Sequence, residues 1–469
     1  MSFRDAGRRN YDSMRGGKRV PNTRNQAFEA DMTQGSIPRL LIHFSVPLLA
    51  GTLLQQMYGF VDAWIVGNYV SDAAFSALGA LEPIILTLVN GFVGFSSGAG
   101  VVIAFYYGSG RHEEQADAVH TALAASAVIS LLLTVLGVSL SPLMLQLMKV
   151  QGEVFDAAVA YLRIYFGGVT GLCLFNVGSS VLQSVGDTKH PFIYLTLASL
   201  INVALDFLFV IRINWGVHGV AFATILAQSV AAILTLGTLA HNGGSVQLDI
   251  RQLRIHRRIF REMLSIGLPS SLQMTITSFS NVFVQSYINQ FGTLCMGGWT
   301  AFSKLDAFAF LPAKALSSAT MTFVSQNRGR GEDRRIKEGV ARSAQIAGVV
   351  MTVISLCLLT MSKQLIHVFS DNEDIIHYGI IFIWLQAPFY IFAGAYHIYA
   401  GTLRGLGKSR DAMWIMLLSF VVFRQAYLFA VSRFIANELS PLTLGYPLCW
   451  AVCAALLYAR YCKYTKNEW

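Results

Sequence analysis

Long apolar stretches separated by short polar turns run from Leu40 to Cys462. They predict twelve helices near 38–68, 73–106, 116–141, 154–185, 190–211, 215–241, 262–290, 294–326, 337–362, 374–404, 411–433 and 439–462. Crossing a hydrocarbon layer of roughly 30 Å takes about 20 apolar residues per helix. Lipid offers no hydrogen bonds, so each segment must pair its own backbone N–H and C=O groups, which a helix does. The expected fold class is all-α integral membrane.

The second six stretches repeat the first six at an offset of about 221 residues. Leu182-Gln183-Ser184-Val185-Gly186-Asp187-Thr188-Lys189 is answered by Leu403-Arg404-Gly405-Leu406-Gly407-Lys408-Ser409-Arg410. Gly108-Ser109-Gly110 is answered by Gly329-Arg330-Gly331, and Pro47 by Pro269. Two parallel six-helix repeats can rock against each other around a site between them, the build of many secondary transporters. The expected organisation is a basic tail over 1–37, an N-terminal lobe over 38–241, an inter-lobe linker over 242–261 and a C-terminal lobe over 262–469 that ends in a short tail.

Composition agrees. Hydrophobic residues make up 54% and charged residues 13% of the chain, with mean hydropathy +0.51, against roughly 25% charged residues in soluble proteins. No soluble domain fits between the stretches. The tail carries Arg4, Arg8, Arg9, Arg15, Lys18, Arg19 and Arg24 without a short apolar core and cleavage site, so no removable signal peptide is expected. Basic residues collect in the tail and in every second loop, at Arg111, Lys189, Arg251 to Arg261, Arg328 to Lys337, and Arg404 to Arg410. The other loops hold only Lys149, Arg212, Lys363 and Arg433. The positive-inside rule then places both termini on the cytoplasmic side of the cytoplasmic membrane. The formal charge of +9 follows from this topology and from anionic lipid, and no nucleic-acid partner is implied.

Several chemistries are excluded. The six cysteines lie in or at the ends of apolar stretches and are expected to be free, buried thiols. No histidine or carboxylate near Cys449 and Cys453 completes a metal set, so no metal or cofactor is expected. No Gly-Lys-Ser/Thr follows a strand, which argues against ATP drive. An intramembrane enzyme would need a nucleophile with a base or a metal at depth, and His43, His218 and His397 are scattered. A transporter is expected rather than an enzyme.

Charges inside the stretches are few: Asp62, Glu82, Asp206 and Asp306, with Lys304, Lys314 and Arg424, and Arg163 near an edge. An ionised carboxylate at the bilayer centre costs roughly 2.5 to 3.5 kcal/mol even on mild scales. Asp62 lies about six residues before the outer end of the first stretch, roughly 9 Å deep at 1.5 Å per residue. Asp206 lies as far before Arg212. Asn202 shares a helix face with Asp206, and Thr224 falls at a comparable level. Two carboxylates, an amide and a hydroxyl are thus expected to converge in the N-terminal half, a set suited to a shared proton or a hard cation such as sodium. The competing reading has each acid capping a helix or bonding a nearby hydroxyl.

At the repeat offset, Asn202 and Asp206 are answered by Phe423 and Tyr427, and Asp62 by the residues around Phe283 and Val284. Coupling is therefore expected in one lobe alone. Arg424 is expected to pair with Asp306. Gly91, Gly94, Gly98 and Gly100 read as close helix packing. Gln55, Tyr58, Asn176 and Gln183 are expected to line a cavity for a flat, amphipathic substrate.

The chain resembles the multidrug and toxic compound extrusion (MATE) family from about residue 33 onward. The resemblance rests on Tyr58-Gly59-Phe60-Val61-Asp62 with Val66-Gly67, Gly186-Asp187-Thr188, Asn202-Val203-Ala204-Leu205-Asp206, Gly216 to Thr224, and Gln326-Asn327-Arg328-Gly329. It implies twelve helices in two V-arranged lobes exporting amphipathic, often cationic compounds in exchange for protons or sodium. It also implies a coupling site in the N-terminal lobe at Asp62, Asn202, Asp206 and Thr224. Another branch carries acids on the seventh and tenth helices. This chain departs from that pattern, with Gln273 and Ser278 on the seventh and no acid between Ile375 and Leu403. The expected partners are a small-molecule substrate and membrane lipid, with H+ or Na+ as coupling ion and a monomer as the working unit. The alternative is a flippase for lipid-linked precursors, kept open by Lys304, Lys314 and Arg424.

Overall fold

The computed structural model describes residues 31–70, 72–148, 150, 152–241, 246–435 and 438–468, without the side chains of 72–78, 80, 82, 83, 86, 153, 467 and 468. Most of the expected basic tail, part of the expected linker and the side chain of Glu82 lie outside the described residues. Among them the chain forms twelve long helical units. These are α1 (Ile37–Tyr69), α2 (Asp72–Gly108), α3 (His112–Leu147), α4 (Glu153–Gly167 and Val169–Ser184), α5 (Lys189–Arg212), α6 (Gly216–His241), α7 (Arg257–Asn289), α8 (Thr293–Arg330), α9 (Asp333–Thr360), α10 (Glu373–Gly405), α11 (Ser409–Ile435) and α12 (Leu439–Lys466).

Eleven of these are long and apolar enough to cross a membrane, with bent α4 counted as one. The exception is α7, which is long enough but polar. Leu268, Leu272, Ile276, Phe279 and Phe283 recur on its exposed face, while Ser270, Ser271, Gln273 and Ser280 are buried. The helical period therefore sorts apolar side chains outward and hydroxyls and amides inward, the reverse of a soluble helix. Of this inner face, Ser271 packs on α2, Gln273 accepts from Arg404 of α10 and Ser280 bonds to α11.

Interruptions have local causes. The two halves of α4 meet at 47° beside Gly168, which packs on Ile225. A break at Phe310 in α8 precedes Pro312, and one over Ala387–Phe389 in α10 contains Pro388, as proline's missing donor requires. The fifth helix of each repeat widens into π-helical turns, Phe207–Arg212 in α5 and Leu418–Phe423 in α11.

The lobes meet along α2, α7 and α8, where small residues permit backbone approach. A Cβ on Gly94 would lie 2.6 Å from Ser271 N, and one on Gly98 would lie 2.5 Å from Met263 O. Ser271 Oγ donates to Gly91 O at 2.6 Å. Gly100 instead packs within its own lobe, on Ser180. At one end of this seam sits Gln326, fully buried. Its Nε2 donates to Ser184 O at 2.7 Å across the lobes, and its Oε1 accepts Met32 N–H at 2.9 Å.

Met32 is held further by Asn327 Nδ2, 3.2 Å from its carbonyl oxygen, and Arg335 Nη2 donates to Gly35 O at 3.0 Å. The segment before α1 is therefore strapped to the opposite lobe. All cysteines are free, and Cys173, Cys295, Cys449 and Cys453 are buried. Cys357 departs from expectation: it is exposed on α9 and Cys462 is half-buried, since a weakly polar thiol tolerates lipid contact.

Candidate ion and substrate sites

Asp62 on α1 and Asp206 on α5 come together inside the N-terminal lobe, their carboxyl groups within hydrogen-bonding reach of each other. Asp206 is 0% exposed, and neither of its oxygens meets a conventional donor; the same holds for Asp62 Oδ1. The two statements are compatible, because ionised carboxylates only accept and such a pair bonds only when it holds a proton. Among the described residues neither acid forms an ion pair. Asp206 ends the regular part of α5, where the π-helical turn begins.

Around the pair lie further polar groups. Asn202, 2% exposed, leaves both amide atoms without a partner. Thr224 donates to Val220 O at 3.0 Å, and Tyr161 lies near it. Tyr58 lies near Asp62, Gln55 and Gln228. Ile65, Leu162, Val210 and Val220 are fully or almost fully buried around this cluster. The structure thus gathers Asp62, Asn202, Asp206 and Thr224, and it adds Tyr161 and Gln228, which the sequence reading missed. Gln228 carried a signal, one helical turn after Thr224; Tyr161 carried none.

The C-terminal lobe differs. Asp306 accepts from Tyr390 Oη at 2.6 Å, with Lys314 close by. Arg424 does not bridge to Asp306. Its Nη2 lies 2.7 Å from Asn281 Oδ1 and 3.1 Å from Ser280 Oγ, and the guanidinium stands 5.3 Å over the Tyr446 ring. The expected pair fails because Arg424, just past the π-helical turn of α11, faces α7, while Asp306 of α8 faces α10. Lys304 sits 5.9 Å over the Phe60 ring, which stacks on Phe308.

A cavity of about 280 Å³ lies between the lobes. Gln55, Asn176 and Gln183 line it, while Tyr58 does not: one turn before Asp62, it shares the acid's face and turns into the lobe. The described wall contains no carboxylate and one cation, Arg404. Asp62, Asp206 and Asp306, on which the cationic preference rested, lie off this wall. Lys304, Lys314 and Arg424, which had kept a flippase open, do so too.

Twelve membrane-length helices in two lobes, with a seam of close contacts and a cavity between them, define a membrane transporter of the duplicated-bundle class. The MatE family model matches residues 47–208 and 269–427, one match per lobe. The chain belongs to the MatE family. It is 28% identical over 435 residues to the probable multidrug resistance protein YpnP of Bacillus subtilis strain 168, covering 92% of this chain and 96% of that one. It is 24% identical over 424 residues to the probable multidrug resistance protein NorM of Thermotoga maritima, covering 88% and 90%. The outward-facing structure of a multidrug resistance MATE transporter superposes with a TM-score of 0.88 at 19% identity, over 96% of this chain and 100% of that one.

Proposed function

We propose that this chain is a secondary active antiporter of the cytoplasmic membrane that exports amphipathic organic compounds in exchange for protons or sodium. The observation that carries this is the Asp62–Asp206 pair: a fully buried and a half-buried carboxyl within hydrogen-bonding reach of each other, without a basic counterion among the described residues, inside one lobe. Like charges in a low-dielectric site favour uptake of one proton or a hard cation. Asn202, with its amide unspent, and Thr224 supply the neutral oxygens. Protons are the favoured ion, because the cluster offers few charged oxygens and the C-terminal lobe holds Asp306 in a tyrosine hydrogen bond.

The chain acts as a monomer, with both termini in the cytoplasm. On that topology the seam at Gln326 lies on the cytoplasmic side, so the lobes are sealed inward. Protonation of the pair then removes a charge that the lobe must otherwise solvate, and lets α1 and α5 close when the cavity turns inward. The test is reconstitution in vesicles loaded with a fluorescent dye. An imposed pH gradient at constant sodium should drive dye uphill. Uphill movement driven by a sodium gradient alone at symmetric pH would assign sodium, and movement under neither gradient would remove the antiporter reading.

A further inference from the structure

We propose that the inter-lobe cavity recognises an anionic group of its substrate, a carboxylate or phosphate on an amphipathic molecule, through the Arg404 guanidinium. The inference rests on the transport reading above and assigns the charge of its cargo. Arg404 lies next to the last residue of α10, yet it does not cap that helix. Its Nη2 donates to Gln273 Oε1 at 2.7 Å and lies 3.8 Å from Met416 Sδ. Both partners are neutral, and among the described residues Arg404 makes no ion pair. A guanidinium is a permanent cation with five donors in a fork that fits carboxylate and phosphate.

The rest of the cavity has the same polarity. Its described wall has no Asp or Glu, so a cationic guest would meet a like charge without a compensating acid. Two hydroxyls on the opposite lobe, Ser96 Oγ and Ser179 Oγ, are buried and unpartnered, their residues 5% and 6% exposed. Pro47, Leu48, Phe175 and Met274 give the apolar surface for the rest of the molecule. The acids of the N-terminal lobe are thereby reserved for the ion, and the cation of the C-terminal lobe for the cargo.

The test uses the full chain in vesicles and two probes sharing one fluorophore: dansylglycine, an anion, and N-(2-aminoethyl)dansylamide, a cation. Wild-type protein should bind the anion at least tenfold more tightly. Arg404→Gln should weaken that binding roughly tenfold to a hundredfold, as loss of a charge-assisted hydrogen bond implies, and Arg404→Lys should retain part of it. Gln273→Glu, which keeps Arg404 but pairs it with an acid, should weaken anion binding similarly, so the result does not depend on Arg404→Gln folding.

A parallel arm follows fluorescently labelled phosphatidic acid across the same vesicles. Its movement, lost in Gln273→Glu, would assign the anion to a lipid headgroup, and movement of dansylglycine to a free solute. Equal affinity for both dansyl probes, or anion binding unchanged in both variants, overturns the inference. The antiporter reading then stands if gradient-driven export of any probe persists. Arg404-dependent anion binding without gradient-driven export would sustain the inference and remove the antiporter.

Discussion

Gly108 of α2 packs its backbone on that of Gln326 of α8, and Gly329 of α8 packs on Phe105 of α2. Gly108 and Gly329 are repeat equivalents, and so are Phe105 and Gln326. The same contact is therefore made twice, as in an isologous interface, and the pseudo-two-fold axis of the duplicated chain passes through this point. A Cβ at either glycine would drive into opposing backbone.

Gly108→Val should therefore part the lobes at this end, with overpacking costing about 1–3 kcal/mol. A cysteine placed at Ser325, 0% exposed and bonded to Val101 O at 2.6 Å, should react faster with a maleimide in that background, with the native thiols removed. An unchanged rate would mean that the seal does not depend on this approach.

Gln326→Ala should strand Met32 N–H and Ser184 C=O in the buried seam and lower stability by about 1–3 kcal/mol, read as a fall in melting temperature. Asn327→Ala should do less, because its second bond, to Phe323 O at 2.7 Å, stays within its own helix. The reverse order would contradict the role given to Gln326.

Most of the architecture was legible in the sequence because lipid fixes both the length and the apolarity of a helix, and duplication shows each lobe twice. The motif at Gln326-Asn327 could be recognised only by resemblance; its work as a staple between Met32 and Ser184 joins residues far apart in the chain. Helix rotation is what the sequence leaves open. Arg404 read as a loop charge because it sits at a helix end in a basic cluster, yet it points into the cavity. Arg424 was paired with the wrong helix for the same reason. The Asp62 and Asp206 depths could be computed from rise per residue, and their contact followed.

The orientation is testable at two exposed positions. A cysteine at Gln252, in the connection between the lobes, should be protected from a membrane-impermeant thiol reagent in whole cells. One at Asp371, before α10, should be labelled. The opposite pattern would invert the topology.

Asp306→Asn should leave gradient-driven export intact, since this acid is bonded to Tyr390 and lies off the cavity wall. A loss of coupling at normal expression would show that the second lobe also carries the ion.

The central claim is that Asp62 and Asp206 form one coupling site. Uphill dye transport under an imposed pH gradient should be abolished in Asp206→Asn and in Asp62→Asn vesicles of equal protein content, while downhill exchange of dye persists. Wild-type uphill transport in either variant would contradict it.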